Sequence, residues 1–178
     1  LKGMYLLKPG GKKKLKVKLL GSGTILREVI AAAELLQKDF GVASDIWSVT
    51  SFNELRRDGL DVQRWNMLHP EKKHKTSYVT SSLLGADCPV IASTDYMKVH
   101  ADQIREFVPG RYVVLGTDGY GRSDTRDKLR KFFEVDRYYV TVAALKALAD
   151  DELIPVAKVS EAIKKYGIDP EKPNPVTV

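Results

Sequence analysis

The residues best placed to do chemistry lie in one glycine-rich run, Gly116-Thr117-Asp118-Gly119-Tyr120-Gly121-Arg122-Ser123-Asp124. Its glycines permit positive φ or a close backbone approach to a ligand, and Arg122 can pair with an anion. Asp118 and Asp124 would oppose a phosphate. An anion site and a loop shaped to dock on another domain or subunit therefore both stay open, ahead of direct catalysis. A second turn, Gly21-Ser22-Gly23, stands before a helical pattern, where a phosphate could meet helix amides. It lacks the third glycine of the dinucleotide fingerprint and the Gly-Lys-Ser/Thr ending of a P-loop, so it reads as a tight strand-to-helix turn. The three histidines, His69, His74 and His100, include no pair at i,i+4, and Cys88 has no ligand partner near it in sequence, which argues against zinc. Cys88 precedes Pro89 and an apolar run, the setting of a small core filler rather than a nucleophile. The acids, Asp58, Asp61, Asp118 and Asp124 among them, have capping or loop roles as their default. Trp65 and Met67, flanked by Arg64 and His69, have the makeup of an interface hot spot, with core packing as the competing reading.

These residues need elements to position them. The segment 4–7 and the alternation Leu15, Val17, Leu19 flank Pro9-Gly10-Gly11 and predict a hairpin of two strands. A helix should follow, capped by Thr24 and ended by Gly41, with Ile25, Val29, Ala33, Leu36 and Phe40 at helical spacing. A strand is expected over 44–50, a helix over 53–68 weakened by Gly59, and a charged loop over 71–77. The run 89–93 reads as a buried strand. Asp95 should then cap a helix bearing Met97, Ala101, Ile104 and Phe107. A strand over 111–115 leads into the glycine-rich loop, and Asp124 should cap a helix with Leu129, Phe132 and Phe133. Helices over 137–149 behind Asp136, and over 156–166 with Pro155 at the first position and Gly167 after the end, precede a proline-rich tail expected to be extended over 168–178. Strand–helix alternation predicts an α/β domain whose mostly parallel sheet is covered on both faces, with the hairpin adding one antiparallel edge strand. The glycine-rich loop then lies at the carboxyl edge, where open α/β sheets place ligands.

Composition narrows the class. The chain has 178 residues, is 43% hydrophobic and 29% charged, and has one cysteine, which excludes collagen, a disulfide scaffold and a mostly disordered chain. A single cysteine leads us to expect a reducing, cytoplasmic setting, and the apolar runs are too short to span a bilayer. Leu1 is not a start residue, so a piece of a longer chain is expected. The formal net charge is +6, but residues 1–18 hold seven lysines (Lys2, Lys8, Lys12, Lys13, Lys14, Lys16, Lys18) and no acid. The remainder is nearly balanced. A nucleic-acid binder spreads its basic stripe over a structured face, so this pattern reads as a lysine-rich hairpin rim in water.

Four stretches together go further: Val49 to Gly59, Arg64 to Pro70, Ala92 to Lys98, and Leu115 to Asp124 continuing through Phe133-Glu134-Val135-Asp136. They resemble the C-terminal domain of the homodimeric, bacterial-type pyruvate dehydrogenase decarboxylating components. The glycine loop alone resembles the wider transketolase family, and Arg-Trp-Asn-Met-Leu-His-Pro narrows the likeness. The match is poorest at 8–14 and 71–77. The resemblance implies a three-layer α/β/α fold with a mixed, mostly parallel five-stranded sheet and one antiparallel edge strand. It implies a parent enzyme that uses thiamine diphosphate and Mg²⁺ to decarboxylate pyruvate and reductively acetylate the lipoyl group of dihydrolipoyl acetyltransferase, the thiazolium ylid serving as electron sink. The family's Gly-Asp-Gly…Asn cofactor motif and its catalytic groups belong to the first two domains. Asp58-Gly59 and Asp118-Gly119 lack the preceding glycine, so no catalytic, cofactor-binding or metal-binding residue is expected here. The implied partners are the N-terminal and middle domains, the homodimer mate and the acetyltransferase core, with no membrane and no nucleic acid. Candidate interface or anion-loop residues are Arg56, Asp58, Trp65, Asp95, Gly116, Asp118, Gly119, Gly121, Arg122 and Asp124. The alternative is a free-standing α/β module that binds an anionic ligand or nucleic acid through the lysine hairpin and glycine loop. Its contacts would show steep salt dependence.

Overall fold

A computed structural model describes residues 2–11, 13–85 and 87–178; Leu1 and Lys12, both invoked above, lie outside the described residues, as does Ala86. Five strands, β1 (Met4–Lys8), β2 (Lys16–Gly21), β3 (Ala43–Val49), β4 (Val90–Ser93) and β5 (Tyr112–Leu115), form one sheet in the order β1-β3-β2-β4-β5. The β3–β2, β2–β4 and β4–β5 pairings are parallel, and β1 runs antiparallel to β3 at the edge. The expected mixed sheet with one antiparallel edge strand is the one found.

The opening segment does not close as a hairpin: β3 lies between β1 and β2. The burial pattern explains this. β2 buries Val17, Leu19 and Leu20 completely and so belongs at the centre, whereas β1 leaves Tyr5, Leu6 and Leu7 about half exposed and suits an edge. Gly10 is spent on a close crossing over β3, not on a two-residue turn. A Cβ there would lie 2.5 Å from the Ser44 carbonyl, and the Gly10 amide donates to Asp45 Oδ1 at 2.8 Å. Nor do all the lysines sit in water. Lys16 pairs with Asp45 at 2.7 Å, and Lys18 is buried with its ammonium donating to the Leu83 carbonyl.

Period-two alternation feeds two cores. On one face, Val17, Leu19, Ile46 and Ile91 pack against α1 (Leu26–Phe40), α6 (Arg137–Asp150) and α7 (Ala157–Lys165). On the other, Leu20, Trp47, Val90, Ala92 and Tyr112 pack against α2 (Phe52–Leu68), α3 (Tyr78–Leu83) and α4 (Lys98–Asp102). The result is the three-layer α/β/α arrangement. Among the described residues no helix is long and apolar enough to cross a membrane.

Several helix ends differ from expectation. Gly41 takes the left-handed position after α1 (φ 68°), and Asp136 caps α6 through the amides of Tyr138 and Tyr139, both as expected. Thr24 makes no cap, because a 3₁₀ turn over Gly23–Ile25 precedes α1. The helix expected from Asp95 to Phe107 is broken into α4 and a 3₁₀ turn at Arg105–Phe107, with no cap from Asp95. Asp124 accepts from the Thr125 amide at 2.7 Å, one residue too early to cap α5 (Arg126–Phe132). Pro155 precedes the N-cap Val156 and is not the first helical residue. The tail turns twice, with Lys172 donating to Asp169 and Thr177 to Asn174, so it is not extended. α3 has no counterpart in the sequence reading. Its apolar positions are too few to show a period, and its start depends on Ser77 accepting from the Thr80 amide and on Asp58, 20 residues upstream, accepting from Tyr78 N–H at 2.6 Å.

Candidate functional site

The carboxyl ends of β2, β4 and β5 meet in one hydrogen-bonded cluster. Ser22 Oγ donates to Thr94 Oγ1 at 2.8 Å, and Thr94 N–H donates to the Leu115 carbonyl at 3.1 Å. Gly116 passes so close beneath the Tyr96–Lys98 backbone that a Cβ would lie 2.7 Å from the Tyr96 carbonyl. Thr117 is tied to Asp95 and Tyr96 through its hydroxyl and its amide, each at 2.9 Å. Asp118 Oδ2 accepts from Lys98 N–H at 2.9 Å, so Asp118 serves the start of α4 that Asp95 leaves uncapped. Asp95 instead accepts from Thr24 Oγ1 at 3.3 Å. It also crowds Gly23, where a Cβ would sit 2.6 Å from its carboxylate. A carboxylate therefore stands against the Gly21–Gly23 turn that a phosphate would need, which fits the tight-turn reading.

Beyond Asp118 the loop opens outward. Gly119 (φ 120°) lies against the Pro175 carbonyl, 2.2 Å from where a Cβ would be, so the tail is seated on this loop. Arg122 is exposed and stacks its guanidinium 4.2 Å over the Phe132 ring. Asp124 pairs with Lys128 at 3.5 Å. Between this loop, Thr24 and α5 lies an open groove of ≈ 400 Å³ walled by Ile25, Leu129, Phe133 and Val135, with Arg122, Arg126 and Arg130 at its rim. Large apolar groups stand exposed around the same edge: Tyr96, Met97, Val99 and, most of all, Tyr120 at 77%.

Of the expected site residues, Asp95, Gly116, Asp118, Gly119, Gly121, Arg122 and Asp124 are brought together here. Arg56, Asp58 and Trp65 are not. Asp58 points to α3, and Arg56 lies exposed on α2. Trp65 sits near the far end of α2, toward the amino ends of the strands, stacked on His69 at 4.5 Å. The sequence reading passed over Tyr120, although it lies inside the quoted run, because a single aromatic carries no spacing signal.

It also missed Glu28. This carboxylate is buried and accepts from Arg130 Nη1 at 3.0 Å, and from Arg137 through N (3.1 Å), Nε (2.9 Å) and Nη2 (3.2 Å). It thereby locks α1 to the α5–α6 junction behind the groove. Burial alone would raise its pKa, but the hydrogen bonds and charges of Arg137 and Arg130 outweigh it and hold the carboxyl below its ordinary value. Asp136, next to it, is shifted the other way. Burial lifts its carboxyl above the usual range despite the two capping amides, and the Glu28 charge adds to the lift.

Asp95 and Asp118 at this edge are engaged with Thr24 and the Lys98 amide, and among the described residues there is no group of three or more His, Cys, Asp or Glu placed to hold a metal ion. Burial raises the Cys88 thiol above its ordinary value, with Lys18 and Lys16 acting weakly against it, so it is kept as the neutral thiol.

Comparison with known proteins places these features in context. Residues 3–136 match the family model of the transketolase-like TK C-terminal domain. The pyruvate dehydrogenase E1 component of Cupriavidus necator is 63% identical over 180 residues, and that of Pseudomonas aeruginosa is 64% identical over 178. The Escherichia coli K12 protein is 54% identical over 175. These alignments cover 98–100% of this chain and 20% of each relative, so the chain spans a fifth of their length. Among solved structures, a Pichia stipitis transketolase complexed with sedoheptulose-7-phosphate aligns with TM-score 0.57 at 16% identity, covering 85% of this chain and 18% of that one. Transketolase from Campylobacter jejuni aligns with TM-score 0.53 at 22% identity, covering 82% and 18%. At such identities the likeness is one of fold.

Proposed function

Because the chain belongs to the transketolase-like TK C-terminal domain family, we propose that it is the C-terminal assembly domain of a pyruvate dehydrogenase E1 component. The observation that carries this is 63% identity to the Cupriavidus necator protein along the full length of the chain. The complete enzyme decarboxylates pyruvate with thiamine diphosphate and Mg²⁺ and passes the acetyl group to a lipoyl carrier. The cofactor supplies the carbanion chemistry. The carboxyl edge supplies surface: exposed Tyr96, Met97 and Tyr120 beside the Arg122–Phe132 stack are apolar and cationic groups held by a rigid framework, the makeup of a contact region. On this reading the edge packs on the middle domain and the homodimer mate or the acetyltransferase core, in the cytoplasm.

The test uses the full-length enzyme. Arg122→Glu and Tyr120→Ser disturb the edge without touching a cap or a core residue. They are expected to weaken dimerisation in sedimentation, or overall complex turnover, by about tenfold, as interface aromatics and arginines do. Unchanged sedimentation together with unchanged overall turnover would remove the carboxyl edge from the assembly surface.

A further inference from the structure

Helix α2 has two faces of different chemistry. Phe52, Leu55 and Gly59 are buried, and Gly59 lets the Phe107 ring come within 2.4 Å of where a Cβ would be. On the other side Leu60, Met67 and Leu68 are 39%, 70% and 52% exposed. At 3.6 residues per turn, Leu60, Arg64 and Met67 project in one direction, with Arg56, Arg57 and Leu68 beside them. Arg57 pairs with Glu54 at 2.8 Å, whereas Arg56 and Arg64 have no hydrogen-bond or ion-pair partner among the described residues. The face continues into the charged loop, which is pinned and not loose. Asn66 Nδ2 donates to the Lys75 carbonyl at 3.0 Å, the Lys75 amide donates to Asn66 Oδ1 at 2.8 Å, and Lys75 Nζ stands 4.1 Å over the Trp65 ring. Lys72 and Lys73 are exposed beside it. Between Arg56 and Lys75 six basic residues face three acidic ones, in a chain that is otherwise near balance once its first 18 residues are set aside.

Exposed arginines and lysines interleaved with large exposed apolar side chains call for a partner that offers carboxylates and apolar groups together. A phosphate polymer or a lipid headgroup layer fits less well, because neither presents side-chain-sized apolar groups beside its charges to cover Leu60, Met67 and Leu68. We propose that the outer face of α2 docks an acidic segment of a separate polypeptide, with Asp or Glu alternating with Leu-sized side chains along a helix. Its carboxylates pair with Arg56, Arg64 and the 72–75 lysines, and its apolar groups cover Leu60, Met67 and Leu68. The site is distinct from the carboxyl edge, since α2 leads away from that edge and has carried the chain about 18 Å along its axis by Arg64 and about 22 Å by Met67.

The experiment uses the full-length parent enzyme. Hydroxyl-radical footprinting first asks whether Met67 is oxidised in the free enzyme. Strong protection there, meaning that the enzyme's own domains cover the face, overturns the proposal. Fluorescence anisotropy then follows a short labelled helical peptide of Glu and Leu at i,i+4 spacing. Saturable binding is expected, weakened about tenfold by Arg64→Glu and by Met67→Ser, with basal decarboxylation unchanged. Equal binding by a Ser-for-Leu peptide, tighter binding by single-stranded DNA or by phosphatidylserine vesicles, or indifference to both substitutions would each overturn it. None of these outcomes bears on the Arg122 and Tyr120 variants, so the two readings fail separately.

Discussion

Glu28 ties together distant parts of this fold, because one buried carboxylate satisfies two arginines and a backbone amide from another part of the chain. Glu28→Gln leaves Arg130 and Arg137 short of a charge. It is expected to cost about 2–3 kcal/mol in urea unfolding, below the full penalty for breaking a buried pair because Arg137 is part-exposed and can turn to water. The pH dependence follows from the direction of the shift. Glu28 is lowered in the fold, so its contribution is complete above its unfolded value of 4.5 and is lost as pH falls through the folded value. Asp136 is raised, so its ionisation works against the fold as pH rises through its range, and protonation on the acid side gives that back. Thermal unfolding followed from pH 7 down to pH 3 should therefore show an acid-side loss in the wild type that is reduced in Glu28→Gln. Parallel curves for the two proteins would contradict the pairing. The Asp136 cap was readable because a cap is local, three residues or fewer. Glu28 and its arginines are separated by more than 100 residues, so no spacing rule could join them.

Elements show the same division between local and distant causes. α1, α2 and α6 were legible from their 3.6-residue patterns, and Gly41 marked the end of α1. α4 was legible as a helix but its start was not, because that start is set by Asp118, 20 residues downstream across the sheet edge. Asp118→Ala should cost about 1 kcal/mol and raise amide exchange at Lys98 and Val99, while Asp118→Asn should restore most of the loss. An unchanged exchange pattern would mean that the carboxylate does not hold α4. Gly59 was read as a weakness in α2, on propensity alone. In the structure it is where α2 meets Phe107, and an added Cβ would clash at 2.4 Å. Gly59→Ala is thus expected to lose about 1–3 kcal/mol through overpacking instead of gaining the ~1 kcal/mol that helix propensity would give. Denaturant titration decides the sign. β1 illustrates the remaining kind of miss. Its residues do form a strand, but which neighbour it takes depends on how β3 is buried, and adjacent sequence suggested β2.

At the scale of the molecule, the layer count and strand directions were readable from alternation of strand and helix, and the loops of the carboxyl edge from their glycines. The surfaces were readable only in part. Exposure is a property of the packed domain: Tyr120 was not singled out, and Met67, for which a contact surface and the core both stood open, is resolved as exposed only by the fold. On the proposed reading both are contact surfaces of a domain that spans a fifth of the relatives it matches. The most direct measurement is a calorimetric titration of this chain with thiamine diphosphate and Mg²⁺, with CO₂ release from pyruvate followed in the same samples. We predict no saturable heat and no turnover, whereas micromolar cofactor binding or measurable decarboxylation would contradict the assignment of this domain to assembly.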